Sequence, residues 1–361
     1  MATPAQIKAQ IKRAAKQARD QHSRTDAFYL ARITEIYRQA GEDIQALIRS
    51  QADTLGIVRL QQLQGLKLQI EQRLRDLSAQ RDQALTTGMT QAAKEGGAVF
   101  SPVIFADPQQ LANETVRQIT LFVDAEGLQL SDRLWNIDSG AADEVIQVIN
   151  RAIVQGNSAS EATADFLRRG EPVPANLHGK ERQAAADVIA RQAVDPLTKS
   201  PDSARAKVQR VMRTELNRAH GEGYMAAAFE LSDVVATRFL LSPRHPRPDI
   251  CDMHASVNRY GLGPGVYPRD RNPWPAHPNT ISFVEVVFAD EISADDRAGK
   301  TDRIDWLRGQ DGPTQAAVLG GVQKRAAFLA GHVGERSIAT RWKTLKKRLT
   351  RQGVDVTQFA P

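Results

Sequence analysis

The residues with the greatest potential for chemistry are concentrated in one irregular segment, residues 245–279. This segment holds the only cysteine of the 361-residue chain and three of its seven histidines. Cysteine, histidine and aspartate side chains bind Zn²⁺, and a structural zinc site needs four such ligands. The candidate ligands are Cys251, His254, His277 and Asp249, with His245 as a replacement for Asp249.

A metal ion is not the only way to hold such a segment together. Prolines on both sides of His277 restrict the backbone, and an imidazole can form hydrogen bonds inside a rigid loop. We therefore expect packing and hydrogen bonds to hold the segment, with no cofactor, and we keep zinc as the alternative.

A hydrolytic centre is a further interpretation of the same residues. Glu215 could act as a base together with His254 and His277, although nothing in their spacing requires it. The chain has no Ser/His/Asp arrangement, phosphate-binding loop, dinucleotide fingerprint or paired-carboxylate signature. We therefore expect a protein that is not an enzyme and has no catalytic residues. A nucleic-acid-processing enzyme or toxin-like effector that uses these three residues is the alternative.

Two predicted strands flank the irregular segment. Residues 234–241 and 281–288 are rich in β-branched and aromatic side chains and are bounded by proline or polar turns. Before them, residues 204–231 form a predicted helix with Arg213-Thr214-Glu215 in its middle. Arg213 shares a helix face with Asn217, and Glu215 shares one with Arg218. We therefore expect structural salt bridges or caps at these residues.

The rest of the chain has helical patterns. Residues 5–21 and a stretch after Asp26 predict two amphipathic helices, the first with a basic stripe of Lys8, Lys12, Lys16 and Arg19. That stripe indicates either a solvated face or an arm that binds nucleic acid or a partner. Leucines spaced by three and four predict a long rod over residues 55–95. A Ser158-x-x-Glu161 capping box predicts the start of another helix.

These patterns predict a mainly α fold with a small β element, of the α+β class. Breaks in composition suggest four parts. They are a helical hairpin or coiled-coil-like region at 1–98, a helical linker domain at 99–184, a compact α+β domain at 185–290 and a basic helical tail at 291–361.

The net charge of +6 is located in the tail. Residues 301–361 contain 11 Lys/Arg against 5 Asp/Glu, and the rest of the chain is balanced. The last predicted helix, residues 335–352, surrounds Trp342, Leu345 and Leu349 with basic side chains that could contact DNA or an acidic protein surface without reading sequence. A solvated helix is the alternative. The basic side chains are Arg341, Lys343, Lys346, Lys347, Arg348 and Arg351.

The bulk composition excludes several classes. No stretch approaches the roughly 18 apolar residues of a membrane span, so we expect no membrane partner. The first residues are polar and lysine-rich, so we expect no secretory signal. One cysteine excludes an internal disulfide and is consistent with assembly in a reducing cytoplasm.

The central motifs, in order, are Arg213-Thr214-Glu215 on a helix, a strand, Asp249-x-Cys251-x-x-His254, a Gly-rich loop, and Pro275-Ala276-His277-Pro278-Asn279 before a strand. This order resembles that of the Mu F-like minor head proteins, also called phage head morphogenesis proteins. The resemblance covers about residues 185–331. Many members of that family have cysteines where this chain has His254, Thr280 and Ser282, which favours an architectural role for His277.

The resemblance implies a minor head protein of a tailed bacteriophage or prophage. Such a protein acts in head morphogenesis and enters the virion in few copies, inside the head or at the portal vertex, after assembly in the host cytoplasm. The implied partners are the portal protein, capsid or scaffold proteins, and packaged double-stranded DNA. A plain DNA-binding module is a third interpretation, and it rests on the basic tail alone.

Overall fold

The computed structural model describes residues 3–54, 56–104, 107–124, 127–180, 185–277 and 279–359. Within these ranges the chain is mainly α-helical, and three strands form a small antiparallel sheet. The fold class predicted from the sequence is thus confirmed. None of the helices in these ranges combines the length and apolar character that a membrane crossing requires.

Thirteen helices are described, together with short 3-10 turns. The helices are α1 (Pro4–Ser50), α2 (Leu63–Gly97), α3 (Pro108–Leu121), α4 (Leu130–Arg168), α5 (Ala186–Ala193), α6 (Asp195–Thr198), α7 (Ala204–Ala228), α8 (Ile250–Ser256), α9 (Ala294–Ala298), α10 (Arg303–Arg308), α11 (Gly312–Leu319), α12 (Val322–Leu329) and α13 (Trp342–Arg351).

The chain divides into two compact units, and each is built from separate stretches. The first unit contains Met1–Thr25, Met89–Ile119 and Thr214–Pro361, and the second contains Asp26–Gly88 and Thr120–Arg213. This division differs from the four consecutive parts suggested by composition. The reason is that α1, α2 and α7 each contribute residues to both units, so a break in composition does not mark a unit boundary.

Two predicted helix boundaries are wrong. Helix α1 runs without interruption through residues 22–26, where the sequence contains neither glycine nor proline. Ser158 lies inside α4 and does not begin a helix. The preceding Asn157 is accommodated there because its buried amide donates to the carbonyl oxygens of Ile153 (2.7 Å) and Val58 (3.0 Å).

The sheet has β1 (Val234–Leu240) in its centre, paired antiparallel with β2 (Val266–Pro268) and β3 (Phe283–Phe288). The two predicted strands are confirmed to within about two residues. Strand β2 and helix α8 occur in the segment predicted as irregular. Both are too short to produce a periodic pattern in the sequence.

Two large clusters of buried apolar side chains lie in the described part of the first unit, beside a smaller one of Ala236, Val266 and Val287. One surrounds the sheet and includes Phe100, Tyr224, Phe239 and Trp274. The other contains buried side chains from α8, from α10 to α13 and from the last 3-10 turn. The C-terminal helix is therefore packed onto its own unit.

Helices α2 and α7 approach each other closely in the first unit, and glycines permit this approach. A Cβ atom on Gly96 would lie 2.1 Å from the carbonyl oxygen of His220, and one on Gly223 would lie 2.3 Å from that of Ala93. Only a residue without a side chain fits at such distances. The Gly96-Gly97 pair therefore ends α2 and also forms a packing contact.

Candidate functional site

The N-terminus of α8 forms the centre of the candidate site. The Oδ1 atom of Asp249 accepts a hydrogen bond from the Cys251 amide at 2.6 Å, and the Asp249 amide donates to Asp252 Oδ2 at 2.7 Å. This reciprocal capping box satisfies amides that the first turn leaves exposed. It explains why a helix forms within a proline-rich segment.

Two histidines meet this cap. His277 Nε2 lies 3.1 Å from Asp249 Oδ2, and His245 Nε2 lies 2.9 Å from Asp252 Oδ2 and 3.9 Å from Asp249 Oδ1. Partial burial by itself raises the pKa of Asp249, but hydrogen bonds from His277 and the Cys251 amide outweigh it and lower the pKa to about 2. The carboxylate is therefore ionised at neutral pH.

Helix α7 holds the loop that carries His277. Asn217 Nδ2 donates to the Thr280 carbonyl at 2.7 Å, and the Asn279 amide donates to Thr214 Oγ1 at 3.1 Å. Asn279 has a left-handed backbone (φ 60°), which asparagine tolerates better than most residues. Two side chains of α7 thus hold the chain directly after His277.

The same loop packs closely against α7 at Trp274. A Cβ atom on Gly221 would lie 2.2 Å from Trp274 Nε1, so the indole ring occupies the space that a side chain would need. The peptide bond between Trp274 and Pro275 is cis. Pro278, one of the motif residues, lies outside the described residues.

Cys251 is fully buried, and its Sγ lies 3.5 Å from Thr280 Oγ1. The Thr280 hydroxyl also accepts a hydrogen bond from the Ser282 amide at 3.3 Å. Thr280 and Ser282 are therefore close to each other, and Thr280 lies against Cys251.

Three of the four predicted zinc ligands come together. Asp249, Cys251 and His277 each offer a ligand atom, and these atoms lie within 4.8 Å of one another. A second group with the same property contains His245, Asp249 and Asp252. His254 belongs to neither group, although it follows Cys251 by three residues in the sequence.

His254 is instead a buried histidine of the protein core. Its ring centroid lies 5.8 Å from that of Phe239, and Tyr267 donates a hydrogen bond to its carbonyl oxygen at 2.9 Å. Burial lowers the pKa of His254 to about 3, and the charge of Arg303 adds to the effect. The ring is therefore neutral at physiological pH.

The Arg-Thr-Glu motif does not act as one group. Arg213 belongs to the second unit, where its Nε lies 3.5 Å from Asp26 Oδ2. Glu215 is fully buried in the first unit, with Oε2 3.4 Å from Arg218 Nε. The predicted pair of Glu215 and Arg218 is confirmed. Thr214 is the motif residue that contacts the loop after His277.

A buried polar cluster in the first unit was not predicted. The rings of His22 (α1) and His220 (α7) stack with centroids 4.5 Å apart. Three residues after His22, Thr25 donates a hydrogen bond to Glu95 Oε1 of α2 at 2.7 Å. Burial lowers the pKa of His22 to about 4 and the pKa of His220 well below its usual value, so both rings are neutral. The sequence gives no signal for this pairing, because the two histidines are far apart in the chain.

The basic side chains at the two ends of the chain are in different environments. In α1, Lys8 pairs with Asp290, Lys12 with Glu291, and Arg19 with Glu285. These ion pairs lie within the first unit, so much of the N-terminal stripe is used in tertiary contacts. Lys8, Lys12 and Arg19 are therefore not simply solvated, and the interpretation of the stripe as an arm that binds nucleic acid or a partner stays a hypothesis.

The C-terminal helix is different, because its basic side chains are exposed. Leu345 and Leu349 are buried in the second apolar cluster, as expected for a helix docked on one side. The helix begins at Trp342, seven residues later than predicted, and Arg341 is its N-cap. Arg348 donates to Ser337 Oγ at 2.6 Å. The exposed side chains are Arg341, Lys343, Lys346, Lys347, Arg348 and Arg351.

In this mainly α-helical protein, the capped helix α8, the long helix α7 and the loop that carries His277 meet at a polar cluster. No family model, no curated protein and no solved structure matches this chain.

Proposed function

We propose that this chain is a minor head protein of a tailed bacteriophage or prophage. In this role it acts in head morphogenesis by contacting the portal protein and the inner capsid or scaffold, in the virion head or at the portal vertex. One observation carries the proposal. Three distant stretches with the Mu F-like motif order meet through direct contacts at Thr214, Asp249, Cys251, His277 and Asn279.

The character of these contacts supports an architectural role. The Asp249 carboxylate accepts from a helix amide and lies against His277, and the Thr214 hydroxyl accepts from a loop amide. Such contacts fix the loop against α7 and α8. A rigid local framework of this kind suits a component that bridges subunits in an assembly.

The exposed basic face of α13 supports a location next to packaged DNA. Its lysines and arginines cover the exposed sides of the helix, which suits phosphate contact of low sequence specificity. Leu345 and Leu349 anchor the opposite side in the protein core. DNA is therefore a further proposed partner, together with the portal and capsid proteins.

The test is mass spectrometry of purified heads from a host that expresses the chain, with the major capsid protein as positive control and an abundant host protein as negative control. We expect the chain in the particles at low copy number and co-purification with the portal protein. Particles that lack it would overturn the proposal. A portal gene upstream and a scaffold or major capsid gene downstream would be independent support.

A site variant links this test to the structure. Asp249→Ala removes the helix cap and the contact with His277, so we expect less of the chain in purified heads. Asp305→Ala is the matched control, because Asp305 is an exposed carboxylate that pairs with Arg308 of its own helix. Equal incorporation of the two variants would mean that the site is not needed for assembly.

The alternative is a nucleic-acid-processing enzyme or toxin-like effector that uses Glu215, His254 and His277. Burial of Glu215 beside Arg218, and of His254 in the core, favours the assembly role. A nuclease assay of the purified protein with and without divalent metal separates the two proposals. Cleavage that is lost in Glu215→Gln would establish the enzyme.

A further inference from the structure

A short turn directly before α13 gathers cationic side chains. It consists of the 3-10 turn Glu335–Ser337 and the three residues after it, and we call residues 335–340 the cationic turn. Lys324 of α12 is 1% exposed and donates to the carbonyl oxygens of Ile338 and Thr340, the second at 2.7 Å. Burial lowers the pKa of Lys324 to about 8, so most of the ammonium keeps its charge at neutral pH.

Three arginines contact the same turn. Arg348 of α13 donates to Ser337 Oγ at 2.6 Å. The Glu335 carboxylate pairs with two more, because Arg259 Nη2 lies 3.1 Å and Arg303 Nε lies 3.0 Å from its oxygens. Together with the buried lysine, four cationic side chains contact a turn that contributes one carboxylate. The cationic turn therefore has a surplus of positive charge.

Water reaches the two ion pairs of Glu335. The side chains of Glu335 and Arg259 are 30% and 33% exposed, and that of Arg303 is 18% exposed. Ion pairs near the surface contribute little to stability, since solvent screens them and each side chain loses conformational freedom. A competing anion can therefore take the place of Glu335 without a large loss of folding free energy.

A phosphate group has the chemistry needed to compete with this carboxylate. Guanidinium groups bind carboxylates and phosphates through the same planar fork of N–H donors. Glu335 presents a singly charged pair of oxygens to two guanidinium groups, and a phosphodiester presents an equivalent pair. The exposed basic side chains of α13 continue from Arg348, which contacts the turn, so a polyanion that lies along this helix reaches the turn.

We propose that the cationic turn is a second phosphate-binding point for duplex DNA, next to α13, and that Glu335 occupies this point in the free protein. A backbone phosphate displaces Glu335 from Arg259 and Arg303. Glu335 thus weakens DNA binding, because its two ion pairs must break first. The inference rests on the proposed contact with packaged DNA. It goes beyond that contact by identifying arginines outside α13 and a competing carboxylate within the chain.

The experiment compares binding of a DNA duplex by the full chain and by Glu335→Gln, with fluorescence anisotropy at several salt concentrations. Glu335→Gln keeps the shape of the side chain and removes its charge, so we expect roughly three- to tenfold tighter binding. Glu42→Gln is the matched control, because Glu42 is an exposed carboxylate that also pairs with an arginine, Arg38. Both variants change the net charge equally. Equal affinities of the two variants would overturn the proposal.

A second pair of variants tests the arginines and does not depend on Glu335→Gln. Arg259→Gln with Arg303→Gln should reduce the slope of log affinity against log salt by up to about 1.8, at roughly 0.9 for each phosphate contact. Arg38→Gln with Arg49→Gln is the control, since the ion pairs of these exposed arginines lie in the second unit. Equal slopes for the two double variants, each shown to be folded by circular dichroism, would refute the phosphate contact.

Failure of this inference and failure of the proposed function give different results. A slope that falls with Lys343→Gln, Lys346→Gln and Lys347→Gln, but not with the Arg259 and Arg303 substitutions, would confine DNA to α13 and refute this inference alone. No duplex binding by the intact chain would overturn the DNA contact and this inference together. Absence of the chain from purified heads would overturn the role in assembly. Poly-L-glutamate that binds as tightly as the duplex would indicate an acidic protein partner and overturn the phosphate assignment.

Discussion

Asp249 connects several parts of the candidate site through its side chain and its backbone amide. It caps α8, lies against His277 and donates its amide to Asp252. Each of these contacts fixes a different part of the segment. The carboxylate, the thiol and the imidazole are also close enough to share an ion, so the two interpretations of the segment can be separated experimentally.

We predict that the purified chain contains no stoichiometric zinc. The reason is that hydrogen bonds and packing already hold Asp249, Cys251 and His277. The measurement is elemental analysis of the protein purified without chelator. About one zinc per chain, lost in Cys251→Ser, would contradict the prediction.

The buried histidines predict a loss of stability at mildly acidic pH. The folded-state pKa is lowered to about 4 for His22 and about 3 for His254, and His220 is shifted in the same direction. The unfolded chain therefore binds more protons below the usual pKa of about 6.5, and the free energy of unfolding falls as the pH falls. Between about pH 7.5 and 5.5 each histidine should contribute about 1 kcal/mol to this loss.

Urea unfolding at a series of pH values measures this effect. His22→Gln should reduce the pH dependence by about 1 kcal/mol, because the variant lacks one imidazole whose pKa is lowered in the folded state. His178→Gln is the matched control, since it makes the same substitution at an exposed histidine. A free energy of unfolding that is constant over this pH range would refute the assignment of neutral buried rings.

At the scale of elements, the crossing of α2 and α7 depends on glycine. We predict that Gly96→Ala destabilises the protein by about 1–3 kcal/mol or more, because the new Cβ would meet the backbone oxygen of His220. Gly65→Ala is the matched control in the same helix. No atom lies within 4 Å of a Cβ at Gly65, so this change should stabilise by up to about 1 kcal/mol.

Denaturant midpoints of the two glycine variants provide the measurement. The two variants are expected to change the free energy of unfolding in opposite directions. A general effect of replacing glycine by alanine would change it in the same direction in both. A stabilising Gly96→Ala would show that the two helices do not approach each other this closely in solution.

The C-terminal helix should bind duplex DNA through its basic side chains and the DNA phosphates. We predict that Lys343→Gln, Lys346→Gln and Lys347→Gln together reduce the slope of log affinity against log salt by up to about 3, at roughly 0.9 for each phosphate that is no longer neutralised. Truncation at Gly334 is a poor test, because it would remove Leu345 and Leu349 from the core. The substitutions leave these leucines in place.

Fluorescence anisotropy with a duplex at several salt concentrations measures the slope. The control replaces Lys16, Lys180 and Lys300 by Gln, three exposed lysines outside α13, with the same change in net charge. Equal slopes for the tail and control variants would mean that α13 does not contact DNA.

At the scale of the whole molecule, the first unit needs residues from distant parts of the chain. Ile11, Ala15, Val99 and Phe100 belong to the same buried cluster as Phe239 and Trp274. We therefore predict that residues 185–361 expressed alone show no cooperative urea transition. Co-expression with residues 1–184 should restore one, because it supplies the missing side of the core.

Circular dichroism of the purified fragment during urea titration provides the measurement, with the intact chain as reference. A cooperative transition in the isolated fragment would contradict the prediction. It would support the consecutive domain boundary near residue 185 that the sequence suggests.

The elements that could be predicted from the sequence are those with a local periodic pattern. Leucines at steps of three and four predict the buried stripe of α2, and β-branched runs predict β1 and β3. Leu345 and Leu349 similarly predict the docked side of α13. These elements could be predicted because the periodicity of a helix or strand is set by neighbouring residues. The ion pair of Glu215 and Arg218 could be predicted for the same reason, because the two residues lie one helical turn apart.

Features that depend on contacts between distant residues could not be predicted from the sequence. Asn157 lies inside α4 because its amide bonds to the carbonyl of Val58 in another part of the second unit. The stacking of His22 on His220 and the exclusion of His254 from the ligand groups have no counterpart in sequence spacing. The physical reason is that burial and pairing depend on which helices pack together, and no local pattern specifies that packing.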